Sequence, residues 1–474
     1  MLSKNTIITL FILVITALTV PRLFLNYGYD DDSASGVVSA ENLLRTGTYV
    51  PSRLPGNPLF EYLLAGLAPW GGPAATNTFV LLSFCLAVWA FYRIVKDSEN
   101  RLLLTIIFAS TPIILLNAAT TMDYIPGLAL LLCAYLMAVE ERYTAAFIFT
   151  GLAAGMRISN FLFMVPLSVF LLLRRQNAAK IAALFMLGLF TGIVFYLPII
   201  TRFGARMFVI PPSVFSFRYT IFRTAYNLIM LFGPVASAGI IVLVLINLKS
   251  LGRTVKDMPR IVLDTLSAAL FIMLFLRHSD ETSYLIPAVP FIYFLLARVF
   301  SRKDLIVTAL LVFSFSVFNI ELKGGQSGSR KLIARPSWGI IAKDYEVRKE
   351  LNDLRQAIVS YDWPAKAIIM TGVGPTLTYN NKGLEPASIK SILPGLDLAG
   401  MGEPEMHKLT GKEVYFVFAL PENFAQELKN KGFKLYIFSE SAPSTVMNVY
   451  KYDPYSIGMQ KLDIFCDKPF YGKS

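Results

Sequence analysis

Apolar and polar residues fall in blocks along the first two thirds of the chain. Apolar runs occupy residues 5–25, 78–95, 102–118, 124–139, 143–158, 160–173, 180–200, 226–248, 261–276, 284–300 and 305–322. A helix needs roughly 20 apolar residues to cross the hydrocarbon core, so the pattern predicts about eleven spans, give or take one or two where short runs crowd between 102 and 173. The first run follows Lys4 and is flanked at its far end by Pro21 and Arg22, with Leu23, Phe24 and Leu25 next. It exceeds a signal-peptide core and no small-residue cleavage site comes after it, which makes it an uncleaved anchor.

From Lys323 the pattern becomes that of a soluble segment, opening with the flexible stretch Gly324–Ser329. Residues 342–360 read as an amphipathic helix, 366–371, 413–418 and 434–439 as buried strands, and 421–431 as a short helix. The expected architecture is an α-helical polytopic membrane domain over 1–322 and a C-terminal soluble α/β domain over 323–474. Gly372 and Gly374 follow a strand but read as a turn, not as a phosphate-binding loop.

Composition sharpens this. The 474 residues are 55% hydrophobic and 16% charged, with a mean hydropathy of +0.55. An average soluble domain is about 45–50% apolar and about 25% charged, so ordinary globular, disordered and fibrous classes are excluded. The net charge of +12 reflects cytoplasmic loops and lipid headgroups, since no arginine-rich recognition segment or zinc-finger spacing points to nucleic acid. Cys85, Cys133 and Cys466 make no disulfide framework. If the spans alternate, Arg93, Lys96, Arg101, Arg142, Arg174, Arg175, Lys180, Lys249, Arg253, Lys256, Arg260, Arg302 and Lys303 share one side. The positive-inside rule makes that side cytoplasmic, with the N-terminus inside and the C-terminal domain outside; the expected location is a bacterial or archaeal plasma membrane. Two external loops then stand out, 26–77 and 201–225.

The first loop opens with Asp30, Asp31 and Asp32 beside the membrane surface. Residues 33–46 follow at helical spacing and Gly47 is placed to end the helix. Asp32 either caps that helix or does chemistry. Next comes Arg53-Leu54-Pro55-Gly56-Asn57-Pro58-Leu59, a Gly-Asn turn between prolines, ahead of an apolar run. This arrangement resembles the GT-C glycosyltransferases, integral-membrane enzymes that include the protein O-mannosyltransferases and the lipid A aminoarabinose transferases. Their first external loop carries an acidic motif, a surface helix and a proline-rich stretch. Their usual Asp-Glu pair is here Asp31-Asp32 followed by Ser33; counting back from Gly47 favours Asp32 over Asp31.

Other candidates lie on the same side. Asp123, in TTMDYIPG, is either a helix N-cap or a functional acid of a sort many GT-C members carry. Arg157 stands on the outer side against the positive-inside tendency, where a phosphate partner or snorkelling would explain it. The second loop interleaves Arg202, Arg206, Arg218 and Arg223 with aromatic residues, suited to phosphate oxygens or anionic headgroups. Arg277, His278, Asp280, Glu281 and Tyr284 precede LIPAVP, similar to a family pattern near the lipid-phosphate site; His278 is at most a leaving-group contact. A Mg or Mn ion among Asp31, Asp32 and Asp123 is conceivable, although no His/Cys/carboxylate spacing makes a zinc site.

The resemblance implies a polyprenyl-phosphate sugar donor, a glycan, lipid or protein acceptor, and inverting transfer with Asp32 as general base. Arg157, Arg218, Arg223 and Arg277 are the candidates to stabilise the departing phosphate. Two other classes compete. A lipid or solute transporter would show inverted repeats, which are not evident; an O-antigen ligase or polymerase would rely on the basic 201–225 loop.

Overall fold

The computed structural model describes residues 4–28, 31–53, 55–204, 217–247, 257–279, 281–324, 332–371, 383–393, 406–417, 420–437, 453 and 455–461. Asp30, Arg206, Asp280, Cys466, Gly372, Gly374 and the stretch 325–329 lie outside them. The chain divides into two compact units: Met1–Tyr27 with Ser39–Tyr345, and Gly28–Val38 with Glu346–Ser474.

The apolar runs are helical: α1 (Lys4–Leu23), α3 (Pro58–Ile94), α4 (Arg101–Ala109), α5 (Pro112–Asn117), α6 (Tyr124–Val139), α7 (Tyr143–Met156), α8 (Met164–Leu173), α9 (Ala178–Phe203), α10 (Phe217–Met230), α11 (Pro234–Asn247), α12 (Met258–Arg277), α13 (Val289–Val299) and α14 (Arg302–Val317), with α2 (Asp31–Thr46) ahead of α3. Two 3-10 segments, Ile158–Phe163 and Thr282–Ala288, lead into α8 and α13. Among the described residues five helical stretches are long and apolar enough to cross a membrane: α1, α3, α9, α12 and Thr282–Val299. The bent pair α10–α11 makes a sixth if it counts as one span.

The expected runs differ from these helices for identifiable reasons. Residues 102–118 do not form one helix, because Thr111 is extended ahead of Pro112, the backbone a following proline favours. The run 226–248 bends by 84° between α10 and α11, where Pro234 has no N–H to continue the ladder. Residues 318–322 are not membrane helix: they open β1 (Phe318–Gly324), antiparallel to β2 (Leu332–Trp338). The expected 26–77 loop is helical from Pro58 onward, with a break at Gly72, and the described part of 201–225 is largely helix, the end of α9 and the start of α10.

Helices α7 and α9 approach until their backbones touch. A Cβ on Gly151 would stand 2.5 Å from the Gly188 carbonyl and 3.1 Å from the Gly192 nitrogen, and one on Gly192 3.0 Å from the Gly151 carbonyl. Gly151 faces Gly188 and Gly192, while Gly155, one turn on, makes room for the Phe195 ring; small-xxx-small spacing on both helices is a device for van der Waals packing where lipid offers no hydrophobic drive. The crossing fixes the end of α7, where Arg157 begins.

Polar contacts gather the loop ends into two sets. Arg93 pairs with Glu140 at 3.2 Å, Arg174 with Asp257 at 3.5 Å, and Arg260 Nη2 donates to the Ile94 carbonyl at 2.8 Å. These tie the basic ends together. At the opposite ends, Asn77 Nδ2 donates to the Leu23 and Asn26 carbonyls, while Thr121 donates its hydroxyl to Asn77 Oδ1 at 2.7 Å and its N–H to the Tyr27 carbonyl at 2.7 Å. Arg22, fully buried at the end of α1, pairs with Asp344 at 2.9 Å and donates to the Leu115 carbonyl.

The second unit holds the later part of α15 (Ile340–Ser360), β3 (Lys366–Met370), β4 (Leu384–Ala387), β5 (Met406–Leu409), β6 (Glu413–Val417), α16 (Glu422–Asn430), β7 (Lys434–Ile437) and β8 (Gln460–Lys461). The sheet order is β4-β5-β6-β3-β7-β8, with β6, β3, β7 and β8 parallel. Alternation along β3 fills both faces. Ala367 and Ile369 pack with Leu351, Leu354 and Ile358 of α15, whereas Ile368 and Met370 pack with Phe424 and Leu428 of α16. The three central strands and both helices follow the sequence pattern; β4, β5 and β8, at four, four and two residues, are too short to show periodicity.

Candidate active site

Four of the residues singled out in the sequence meet at the end of the first unit away from the basic clusters. Asp123 stands at the N-cap position of α6 but its side chain makes no capping bond. It accepts instead from two arginines. Arg157 Nη1 donates to Oδ2 at 2.7 Å and Arg53 Nη2 to Oδ1 at 3.2 Å. The Asp123 side chain is 2% exposed, against 15% for Arg157 and 29% for Arg53. A carboxylate so deeply buried requires charged partners, and two guanidinium groups satisfy it.

Arg157 follows the last turn of α7 in extended conformation and lies between two rings. Its guanidinium carbon is 4.2 Å from the Tyr124 ring centroid and 4.9 Å from that of Tyr284. Planar guanidinium on aromatic faces is a geometry lysine cannot reproduce. Tyr124 in turn donates its hydroxyl to Glu281 Oε2 at 2.8 Å. Arg53 lies outside the spanning helices; burial is the strongest influence and opposes its charge, but Asp123, Tyr124 and Tyr284 together outweigh it and its pKa is raised. The Arg157 fork carries five N–H donors, more than one carboxylate oxygen accepts.

The turn holding Arg53 is fastened from below by Glu61, 1% exposed in the first turn of α3. Glu61 accepts from the Tyr49 hydroxyl, from Ser39 Oγ at 2.9 Å, and from Ser52 Oγ at 2.5 Å and Ser52 N at 3.3 Å. Burial, then the neighbouring Glu61 charge, raises the Tyr49 pKa, so its hydroxyl stays a donor. Gly56 has φ +84 and its Cβ would strike Pro51 at 2.8 Å, so the turn between Pro55 and Pro58 needs glycine. Asp123 is held in turn by the Thr121–Asn77 bonds beside it, and Gly127 on α6 leaves room for Asn160, whose Nδ2 would lie 2.9 Å from a Cβ there.

Asp31 and Asp32, half-buried, lie within the first turn of α2, where the helix dipole favours carboxylates. They belong to the second unit. Gly47, at φ +66, ends that helix as its placement suggests. Arg223 is half-buried on α10, whose first turn includes Arg218; Arg277 is exposed at the end of α12, with His278, half-buried, as its C-cap. No group of three His, Cys, Asp or Glu side chains is placed to hold a metal among the described residues, and both Asp123 oxygens are engaged by arginine.

Sequence reasoning passed over Glu61, Tyr49 and Tyr124. Glu61 had a signal, an acid at the head of an apolar run; Tyr124 had none beyond its place next to Asp123.

No family model matches the sequence, and neither does any curated protein. Among solved structures the chain is similar to the crystal structure of ArnT from Cupriavidus metallidurans bound to undecaprenyl phosphate, at 14% identity and a TM-score of 0.49. The alignment covers 65% of this chain and 62% of that one. Similarity to the apo state of the same protein gives 16% identity and a TM-score of 0.46 over the same shares. The chain therefore spans less than two thirds of the length of the structures it matches.

Proposed function

We propose that this chain is a GT-C-type integral-membrane glycosyltransferase that moves a sugar from a polyprenyl-phosphate donor to a glycan, lipid or protein acceptor at the extracytoplasmic face. One observation carries the reading: Arg53 and Arg157 converge on Asp123 at the end of an apolar helical unit opposite its basic loops. Two guanidinium forks held side by side, one of them between two aromatic rings, suit the phosphate of a lipid whose chain lies among the helices.

In this reading Asp32 takes the proton from the acceptor hydroxyl while its oxygen bonds to the anomeric carbon with inversion. The carbon–oxygen bond to the donor phosphate breaks, and its electron pair leaves on the polyprenyl phosphate. General-base assistance contributes about 10²–10⁴-fold. Arg53 and Arg157, oriented beforehand by Asp123, Tyr124 and Tyr284, meet the charge that develops on the leaving phosphate, which avoids reorganisation during the reaction. Arg218, Arg223, Arg277 and His278 are further donor-phosphate candidates, and Asp31 is the alternative carboxylate. The N-terminus is cytoplasmic, the C-terminal domain is extracytoplasmic, and the count of about eleven membrane segments includes the short and broken helices.

The test is transfer of radiolabelled sugar from a panel of polyprenyl-phosphate sugars to a membrane extract, with purified wild type, Asp32→Asn and Arg157→Gln at equal folding stability. The expected result is transfer lost in Asp32→Asn with donor binding kept, and donor binding weakened in Arg157→Gln. Equal transfer by wild type and Asp32→Asn removes Asp32 from the mechanism; undiminished donor binding by Arg157→Gln removes the cluster.

A further inference from the structure

The basic end of the first unit holds a cavity of about 250 Å³ that the transfer chemistry leaves unused. Leu104, Ile261, Phe294 and Ala297 line it together with Arg260 and Arg298. Asp123 precedes α6 and Tyr135 lies eleven residues into that helix, so the cavity's polar wall is about 18 Å along the axis from the Arg53–Asp123–Arg157 cluster.

That wall is built around Asp264, fully buried on α12. Asp264 accepts from Arg298 Nη2 at 2.5 Å and from the Tyr135 hydroxyl at 2.7 Å. The Tyr135 oxygen in turn accepts from Arg260 Nε at 3.1 Å. One carboxylate thus orients two guanidinium groups, directly and through a phenol, and leaves one positive charge over. Arg298 Nη1 is buried with no acceptor among the described residues, an arrangement proteins rarely tolerate without a ligand or function. The carboxylates at the rim are otherwise placed. Asp257 caps α12 and pairs with Arg174 at 3.5 Å, and Asp97 is exposed, where salt screens it.

Position completes the argument. The cavity sits where α3 and α13 end and α12 begins, beside Arg93, Lys96 and Arg101. Apolar walls with an arginine pair at the ends of spanning helices suit a molecule that is anionic at its head and hydrocarbon behind it. We propose that this cavity binds the phosphate headgroup of an anionic membrane phospholipid, as a site separate from the transfer site.

The full chain, purified in neutral detergent, is examined by native mass spectrometry and thermal unfolding with phosphatidylglycerol, phosphatidylcholine or inorganic phosphate. Two variants alter the cavity: Arg260→Gln, and the double change Asp264→Asn with Arg298→Gln, which strands no buried charge. Arg302→Gln, exposed at the same end, is the control. One phosphatidylglycerol per wild-type chain is expected, with a raised unfolding midpoint, unchanged in Arg302→Gln and about fivefold less occupied in either cavity variant. Equal occupancy in all variants, or equal retention of phosphatidylcholine, overturns the site. An equal midpoint shift from inorganic phosphate alone overturns the lipid assignment in favour of free phosphate. The readout is binding, so either failure leaves the transferase reading untouched.

Discussion

Asp123 holds Arg53 and Arg157, and removing its charge takes the buried Arg157 guanidinium away from its carboxylate. Loss of one partner of a buried ion pair costs about 3–5 kcal/mol. Asp123→Ala is therefore expected to lower the unfolding midpoint of the detergent-solubilised chain and to abolish donor binding. A midpoint equal to wild type would show that the arginines find other partners. Glu61 acts one step further out, through the turn that carries Arg53. Glu61→Gln replaces one acceptor oxygen with a donor facing donors, so KM for the donor is expected to rise more than kcat falls. An unchanged KM with a reduced kcat would place Glu61 in the chemistry instead. His407, 6% exposed on β5, is pushed by burial down to about 4. An unfolded histidine titrates near 6.5, so the unfolded chain binds a proton the folded one refuses. The α/β domain then loses stability as pH falls from about 6.5 to about 4, on the order of 3 kcal/mol in all. Hydrogen exchange over 406–417 checks this: acceleration on acidification in wild type, flattened in His407→Gln. The same acceleration in both would assign it to another group.

At the scale of elements, the α7–α9 crossing depends on what is missing from Gly151. A methyl there meets backbone at 2.5 Å, whereas one on Gly66 meets nothing within 4 Å. Gly151→Ala is expected to destabilise by about 1–3 kcal/mol, and to weaken donor binding because α7 positions Arg157. Gly66→Ala, inside α3, is expected to be neutral or to stabilise by up to about 1 kcal/mol. Thermal unfolding of the pair checks the argument, and equal midpoints would mean the helices slide apart at no cost. The glycines of α7 and α9 were open to reading as GxxxG spacing, but spacing alone does not say which helix a glycine faces.

For the whole molecule, the ion pairs of Arg93 and Arg174 and the Arg260–Ile94 bond draw these basic ends together. The orientation is testable. A cysteine introduced at the exposed Glu99 should react with an impermeant maleimide only after the cytoplasmic face is opened, and one at the exposed Thr46 should react in intact cells. The reverse pattern would invert the protein and place the arginine–aspartate cluster on the cytoplasmic side.

The sequence by itself determined where apolar helices run, where Gly47 ends a helix, and which strands and helices lead the C-terminal domain, because periodicity and turn chemistry are local. It also singled out Asp123, Arg53, Arg157 and Tyr284, since an unusual charge near a membrane surface stands out against an apolar background. Tertiary structure alone decided that these four share one site, that Asp123 binds arginines instead of capping α6, and that Arg22, a flank of the first span in the sequence, is buried against Asp344. The reason is physical: a carboxylate's partner is chosen by which donors the packing brings within about 3 Å, and those donors come from residues far away along the chain.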